Sequence, residues 1–345
     1  MRHTEMVTSK TDAGRPRATT HLKPTSADQA EAWSSGRLAA PDQVRPGVWS
    51  IAMGMPGLVN SLMTVIRDSE GAVHVIDPAL DTEENWAATL TTFEALGLDL
   101  ADVATVVCTH LHADHFGLTQ RFRDVSEPEV IAHRIEQDWF SAGVGNPQQD
   151  RAADLERWGA PASVRTAYSE WQDAEPPRDA QFTADRLVVE GETIRLGEHA
   201  LEVIHTPGHT AGHMCLHDAE HGLLFTGDHV LPTINPGLGL GGRIDPNPLA
   251  AYLDSLERIA AYDHAEVLPG HGFRFRGLRQ RAERLGAHQR SRGQAVAHLV
   301  EQHPGASVWD TASRVSWTGG WEALGPVERI SALAQTEMFI AAAQA

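Results

Sequence analysis

Four short segments dense in histidine and aspartate, each set directly after an apolar strand-like run, constrain this chain more than any other feature. They are Thr109-His110-Leu111-His112-Ala113-Asp114-His115, Thr206-Pro207-Gly208-His209-Thr210, Thr226-Gly227-Asp228-His229 and Pro269-Gly270-His271-Gly272. A position just past a strand is where open α/β sheets gather their ligand sites. Proline and glycine around the segments allow tight turns and a close backbone approach to an ion. Imidazole and carboxylate are the donors that borderline divalent metals such as zinc accept. His110 and His112 lie two apart in extended chain and can point the same way. Asp114 and His115 open the following helix and turn toward a neighbouring point, so one peptide can feed two ions.

The rest of the chain supplies strands and helices around these segments. VWSIAMGM, LMTVIRD and AVHVID read as strands, with a hairpin turn at Gly71. A helix is expected over residues 83–96, with Trp86, Leu90, Phe93 and Leu96 on one stripe. VATVVCT is a β-branched run suited to a strand covered on both faces. EVIAH, RLVVE, ALEVIH, GLLFTGD and AEVLPGH are further strands, with a helix over 249–262 before the last. Two βαβ-like halves are suggested.

Three segments differ in kind. Residues 1–45 are polar and read as a flexible arm with one short helix over Ala27–Trp33. Residues 134–180 are polar, helical and broken by Gly and Pro, and hold Trp139, Phe140, Trp158, Tyr168 and Trp171. They read as an inserted helical cap on a catalytic domain spanning 46–276. The cap is expected to govern substrate choice, although packing of its aromatics onto the main domain is favoured over substrate contact. Residues 277–345 carry three helical stretches and form a small C-terminal helical domain.

Charge narrows the function classes. The formal net charge of the 345 residues is -18, which opposes the approach of a nucleic-acid backbone. No apolar run approaches the length of a membrane span. The N-terminus has basic residues but no apolar core of a secretory signal. Cys108 and Cys215 sit in apolar stretches and read as buried free thiols, which fits a reducing compartment. The expectation is therefore a cytoplasmic protein acting on a small molecule, without nucleic acid or membrane as partner, and with a homodimer allowed.

HLHADH resembles the HxHxDH signature of the metallo-β-lactamase superfamily, and TPGHT, GDH and PGHG resemble its remaining ligand motifs in the right order. The resemblance covers about residues 46–275. It implies an α/β fold, the four-layer αββα metallo-β-lactamase sandwich. The segment DHVLPTINPGLGL followed by VLPGHGFRFRG looks like the branch with a C-terminal helical, winged-helix-like domain, although no β-wing is evident in the tail. The resemblance also implies that His110, His112 and His209 bind a first metal, that Asp114, His115 and His271 bind a second, and that Asp228 bridges both. Two Zn2+ per chain are expected, with Mn2+ or iron as alternatives. A hydroxide held between the metals would be the nucleophile, and the centre would then carry about +1 charge. Asp114 and Asp228 are the expected catalytic carboxylates. Ile76-Asp77-Pro78-Ala79 stands where many relatives have Asp-Thr-Gly, so Asp77 is expected only behind the ligands, and His229 beside the bridge is not expected to be a ligand. His133, His213, His217, His221 and His264 read as structural or solvent-facing.

The implied activity is a dinuclear zinc-dependent hydrolase of an ester, lactone, thioester or amide. A metallonuclease and an iron-dependent sulfur dioxygenase are the alternatives, and a non-catalytic regulator a distant third. Specificity is expected from the cap, the Leu231–Gly242 loop and the loop near Met53–Asn60. Arg243, Arg274 and Arg276 are placed near that region, with solvation favoured over a role as a carboxylate clamp.

Overall fold

A computed structural model describes residues 22–142, 151–174, 182–239 and 247–344. In chain order the elements are β1 Lys23–Pro24, α1 Ala27–Ser35, β2 Asp42–Arg45, β3 Val48–Gly54, β4 Asn60–Arg67, β5 Val73–Ile76, α2 Glu83–Leu96, β6 Val103–Val107, α3 Ala113–Phe116, α4 Thr119–Ser126, β7 Glu129–His133 and α5 Arg134–Ser141. There follow α6 Arg151–Arg157, α7 Ala162–Ala174, β8 Arg186–Val188, β9 Thr193–Leu196, β10 His199–His205, β11 Met214–Asp218, β12 Leu223–Gly227, α8 Pro248–Ile259, β13 Glu266–Pro269, β14 Phe275–Arg276, α9 Leu278–Gln302, α10 Val308–Ala312 and α11 Pro326–Gln344.

The strands form two seven-stranded sheets, ordered β2-β3-β4-β5-β6-β7-β8 and β1-β14-β13-β12-β11-β10-β9. Their facing sides share one core, in which Ile66, Ile76, Val107 and Ile131 of the first sheet meet Leu201, Val203, Leu216 and Phe225 of the second. The outer side of the first sheet packs Val65, Val75 and Val106 against Phe93 of α2 and Phe122 of α4. The outer side of the second packs Cys215, Leu224 and Val267 against Tyr252 and Leu256 of α8 and Leu285 of α9. The fold is thus the expected four-layer αββα sandwich. Coverage on both faces explains why β4 to β6 and β11 to β13 read as nearly unbroken apolar runs.

Local signals set the element ends. The Thr82 side chain caps α2 by accepting from Asn85 N–H, and Gly97 closes it in the left-handed conformation at φ 67°. β5, β6 and β7 pair in parallel, as do β12 and β13. Their carboxyl ends therefore open on the same edge of the sandwich, which is where the histidine-rich segments emerge.

Three sequence expectations are corrected. The arm was drawn too long. Residues 1–21 lie outside the described residues, but β1 pairs with β14, α1 buries Gln29, Ala32 and Trp33, and β2 pairs with β3. Within the described part of the 134–180 cap, Trp158 and Tyr168 pack on the C-terminal helices and not on the main domain. Leu155, Trp158, Ala160 and Tyr168 pack with Ala312 and Leu333 of the C-terminal helices, and Trp309 N–H donates to the Trp158 carbonyl at 2.8 Å. Among the described cap aromatics, Phe140 joins the main-domain core, edge-on to Phe116 and Phe182. The boundary at 277 divides no core, because Leu278, Ala282 and Leu285 at the start of α9 belong to the layer beneath the second sheet. Cys108 and Cys215 are buried free thiols, as expected. Among the described residues no helix is long and apolar enough to cross a membrane.

Candidate metal centre

β6 ends at Val107, and the chain stays extended through His112, which caps the single-turn α3 with φ -89° and ψ 146°. That geometry aims His110 and His112 at one point. His110 Nε2 stands 3.0 Å from His112 Nδ1, and His209 Nε2 reaches the same atom at 3.0 Å. Burial disfavours the charged form of all three rings and holds each below the usual imidazole range, His112 at about 3. Three lone pairs thus converge with no proton between them that could satisfy all three.

α3 turns Asp114 and His115 toward a second point. Asp114 Oδ2 lies 3.4 Å from His115 Nε2 and 3.2 Å from His271 Nε2. Asp228 stands between the two groups. Its Oδ1 is 3.5 Å from His115 Nε2 and 3.3 Å from His271 Nε2, and its Oδ2 is 3.5 Å from His209 Nε2. At His271 burial opposes the proton, but the Asp228 and Asp114 carboxylates outweigh it and lift the ring to about 10. A pocket that draws a proton so strongly favours any cation placed there.

The outer nitrogens are tied back. His209 Nδ1 donates to the Gly237 carbonyl at 2.6 Å and His271 Nδ1 to the Asn60 carbonyl at 2.7 Å. His115 Nδ1 lies 2.9 Å from Asp77 Oδ2. Donation outward fixes the tautomer and leaves Nε2 as a bare donor atom facing inward. Glycines make room: a Cβ on Gly270 would sit 2.5 Å from Asp228 Oδ1, and one on Gly227, at φ 43°, would sit 2.5 Å from Thr109 Oγ1.

The sequence model of the metallo-beta-lactamase superfamily matches residues 56–271. The chain belongs to the metallo-β-lactamase superfamily. Among curated proteins it is similar to a probable metallo-hydrolase, YqjP of Bacillus subtilis (strain 168), at 28% identity over 250 residues, covering 68% of this chain and 74% of the relative. It is also similar to the acyl-coenzyme A thioesterase MBLAC2 of Homo sapiens, at 30% identity over 217 residues, 61% of this chain and 70% of that one. Among solved structures, a beta-lactamase domain protein from Burkholderia ambifaria superposes with a TM-score of 0.74 at 25% identity, covering 93% of this chain and 92% of that one. This member of the superfamily is a metal-dependent hydrolase.

The residues present fit a divalent metal. His115 Nε2 and Asp228 Oδ1 are buried in the heart of the site and have no hydrogen-bond partner. All seven predicted residues fall into overlapping groups whose donor atoms lie within 4.8 Å of one another: His110, His112 and His209; His110, His115 and Asp228; Asp114, His115 and His271. His229 stays outside these groups, its ring packed against Tyr252.

Several supporting residues were not singled out in the sequence. Buried Glu136 on α5 accepts from Leu111 N–H at 2.9 Å and Gly212 N–H at 2.6 Å, joining the loop of the first segment to that of the second. His213 accepts from Asp228 N–H at 3.2 Å, so a histidine read as merely structural steadies the central aspartate. Arg281 on α9 donates to the carbonyls of Leu231 at 2.6 Å and Ile234 at 2.5 Å, anchoring the loop after Asp228. Glu136 carried one usable signal, an acidic residue in the first turn of a helix that follows a buried strand directly. Nothing in sequence could pair Arg281 with carbonyls fifty residues away. Of the arginines suggested as clamps, Arg274 is buried in ion pairs with Glu266 and Asp42, and Arg276 bonds the His264 carbonyl. Arg243 lies outside the described residues.

Proposed function

We propose that this protein hydrolyses a small thioester or related carbonyl compound at a dinuclear zinc centre. His110, His112 and His209 would hold one ion, Asp114, His115 and His271 the other, and Asp228 both. The observation that carries this reading is the split Asp228 carboxylate, with Oδ2 facing the first group and Oδ1 the second. Bound ions would supply Lewis acidity and a water of lowered pKa.

The chain's own groups do the remainder. Neighbouring imidazoles outweigh burial at both carboxylates, so Asp114 and Asp228 stay ionised and are the acceptors for a proton leaving the attacking water. The backward bonds of His115, His209 and His271 keep the donor atoms fixed. Thioesters are favoured among carbonyl substrates because MBLAC2, a relative covering most of the fold, is named an acyl-coenzyme A thioesterase. The net charge of -18 disfavours RNA and DNA as substrates.

The test is metal analysis of the purified protein beside a substrate panel of aryl esters, acyl thioesters, lactones and single-stranded RNA. Zinc in the centre and thioester turnover lost in Asp228→Ala are expected. One iron per chain with oxygen consumption, or faster RNA cleavage lost in Asp114→Ala, would overturn the reading.

A further inference from the structure

The end of the sandwich remote from the metal centre holds a second histidine–aspartate cluster. β10 begins at His199 and β11 ends at Asp218, so they lie at the ends of their strands opposite to those that lead to His209 and Asp228, about 14–20 Å along the strands. Asp218 pairs in register with Leu201, and His199 lies two residues from Leu201, so both face the side on which Leu201 packs. That side is the core between the sheets. A carboxylate there, with 0% of its residue surface exposed, is costly unless its charge is met.

Two imidazoles meet it. His199 Nδ1 stands 2.6 Å from Asp218 Oδ2. The turn after β11 brings His221 back, with Nδ1 at 3.0 Å from Oδ1 and 2.9 Å from Oδ2. The two rings stack with centroids 4.0 Å apart. One donor atom from each of the three residues lies within 4.8 Å of the others. His74 comes from the facing sheet. It pairs with Ile66, which points into the shared core, and burial together with the nearby His199 disfavours a proton on its ring. His74 is 5% exposed, and its Nδ1 is buried without a hydrogen-bond partner. Asp68 and Glu198 add negative charge beside the cluster, Asp68 near His74 and Glu198 on the residue before His199.

We propose that His199, Asp218 and His221 form a further divalent-cation site, separate from the catalytic centre and structural in role. Two nitrogens and one carboxylate oxygen are a donor set for zinc, and the side of the cluster where His221 is about a quarter exposed leaves a place for water. In the metal-free chain the imidazole Nδ1–H groups donate to Asp218. On binding, each ring would offer Nδ1 to the ion and carry its N–H on Nε2. The ion would tie β10, β11 and the 219–222 turn together where the two sheets end.

The test uses the full chain. Crystals equilibrated with zinc are measured at the zinc absorption edge, and an anomalous peak is expected between His199, Asp218 and His221. Its absence at saturating zinc overturns the proposal. In solution, His221→Ala changes the most exposed of the three groups and should fold. It is expected to bind one zinc fewer per chain than the parent, with hydrolytic activity within twofold. Equal zinc content in parent and His221→Ala also overturns the proposal. Because the readout is metal at a distant position, failure to find hydrolysis would count against the catalytic reading and leave this one standing.

Discussion

The Asp77 carboxylate stands 2.9 Å from His115 Nδ1 and accepts two further hydrogen bonds from Thr109, from N–H at 2.7 Å and from Oγ1 at 2.8 Å. One buried side chain at the end of β5 therefore orients the imidazole of α3 and the strand end that carries His110. Asp77 holds φ 54°, a left-handed conformation that aspartate and asparagine tolerate better than most residues. Asp77→Asn keeps that backbone and removes the charge. We expect kcat/KM to fall by about 10–100-fold with little change in melting temperature. Undiminished activity would show that His115 needs no outer partner.

Glu136 accepts from two backbone N–H donors, one on each carboxylate oxygen, and stands to lose from any substitute that cannot accept from both. In Glu136→Gln the amide must turn its own N–H toward one of them. The expected cost is about 1–3 kcal/mol of stability. Zinc should also be lost more readily to a chelator, because the loops of His110 and His209 are no longer joined. Chelator competition and denaturant melts check both, and the reading fails if Gln and Glu are indistinguishable.

Trp158 is a packing residue between the cap helices and the C-terminal helices. Trp158→Ala is expected to destabilise the protein by about 3–5 kcal/mol. KM for any substrate should stay within twofold in the fraction that remains folded. A large KM change at unaltered stability would return Trp158 to the substrate pocket.

His133 is buried, stacked on His205 at 4.5 Å and followed by Arg134. Burial first, then His205 and Arg134, bring its ring down to about 4. The unfolded chain binds a proton below about pH 6.5 that the folded chain refuses until about pH 4. Stability from this group is therefore complete above pH 6.5 and is lost as pH falls toward 4. His133→Asn retains an acceptor for the Ile135 N–H at the start of α5. Between pH 7 and pH 5 the variant should lose less stability than the parent, by on the order of 2 kcal/mol. Urea midpoints at the two pH values test this, and parallel losses would contradict it.

Much of the centre was legible in sequence because it is built from local patterns. The residue types at 110, 112, 114 and 115 lie within six positions on one strand-to-helix turn, and their directions follow from extended chain passing into a helix. His209, Asp228 and His271 each follow a strand whose apolar run is visible, and β10, β12 and β13 run in one direction, which places the three on one edge. The double-faced coverage of β4, β6 and β12 was likewise written in their composition.

Tertiary structure alone decided the rest. Residues 22–41 looked like part of a free arm, since α1 buries only a narrow face, yet pairing of β1 with β14 and burial of Trp33 draw them into the sandwich. The cap aromatics were visible but their partner was not, because Trp158 meets Leu333 across a separation that no periodicity encodes. Glu136 and Arg281 act through hydrogen bonds to distant loops, and such bonds depend on where the chain returns and not on any local spacing. Sequence by itself determined the donor atoms and the strands that bear them, since both follow from side-chain chemistry and period. Only the folded chain decided which buried polar groups hold those donors still, since that requires two segments far apart in sequence to close on one point.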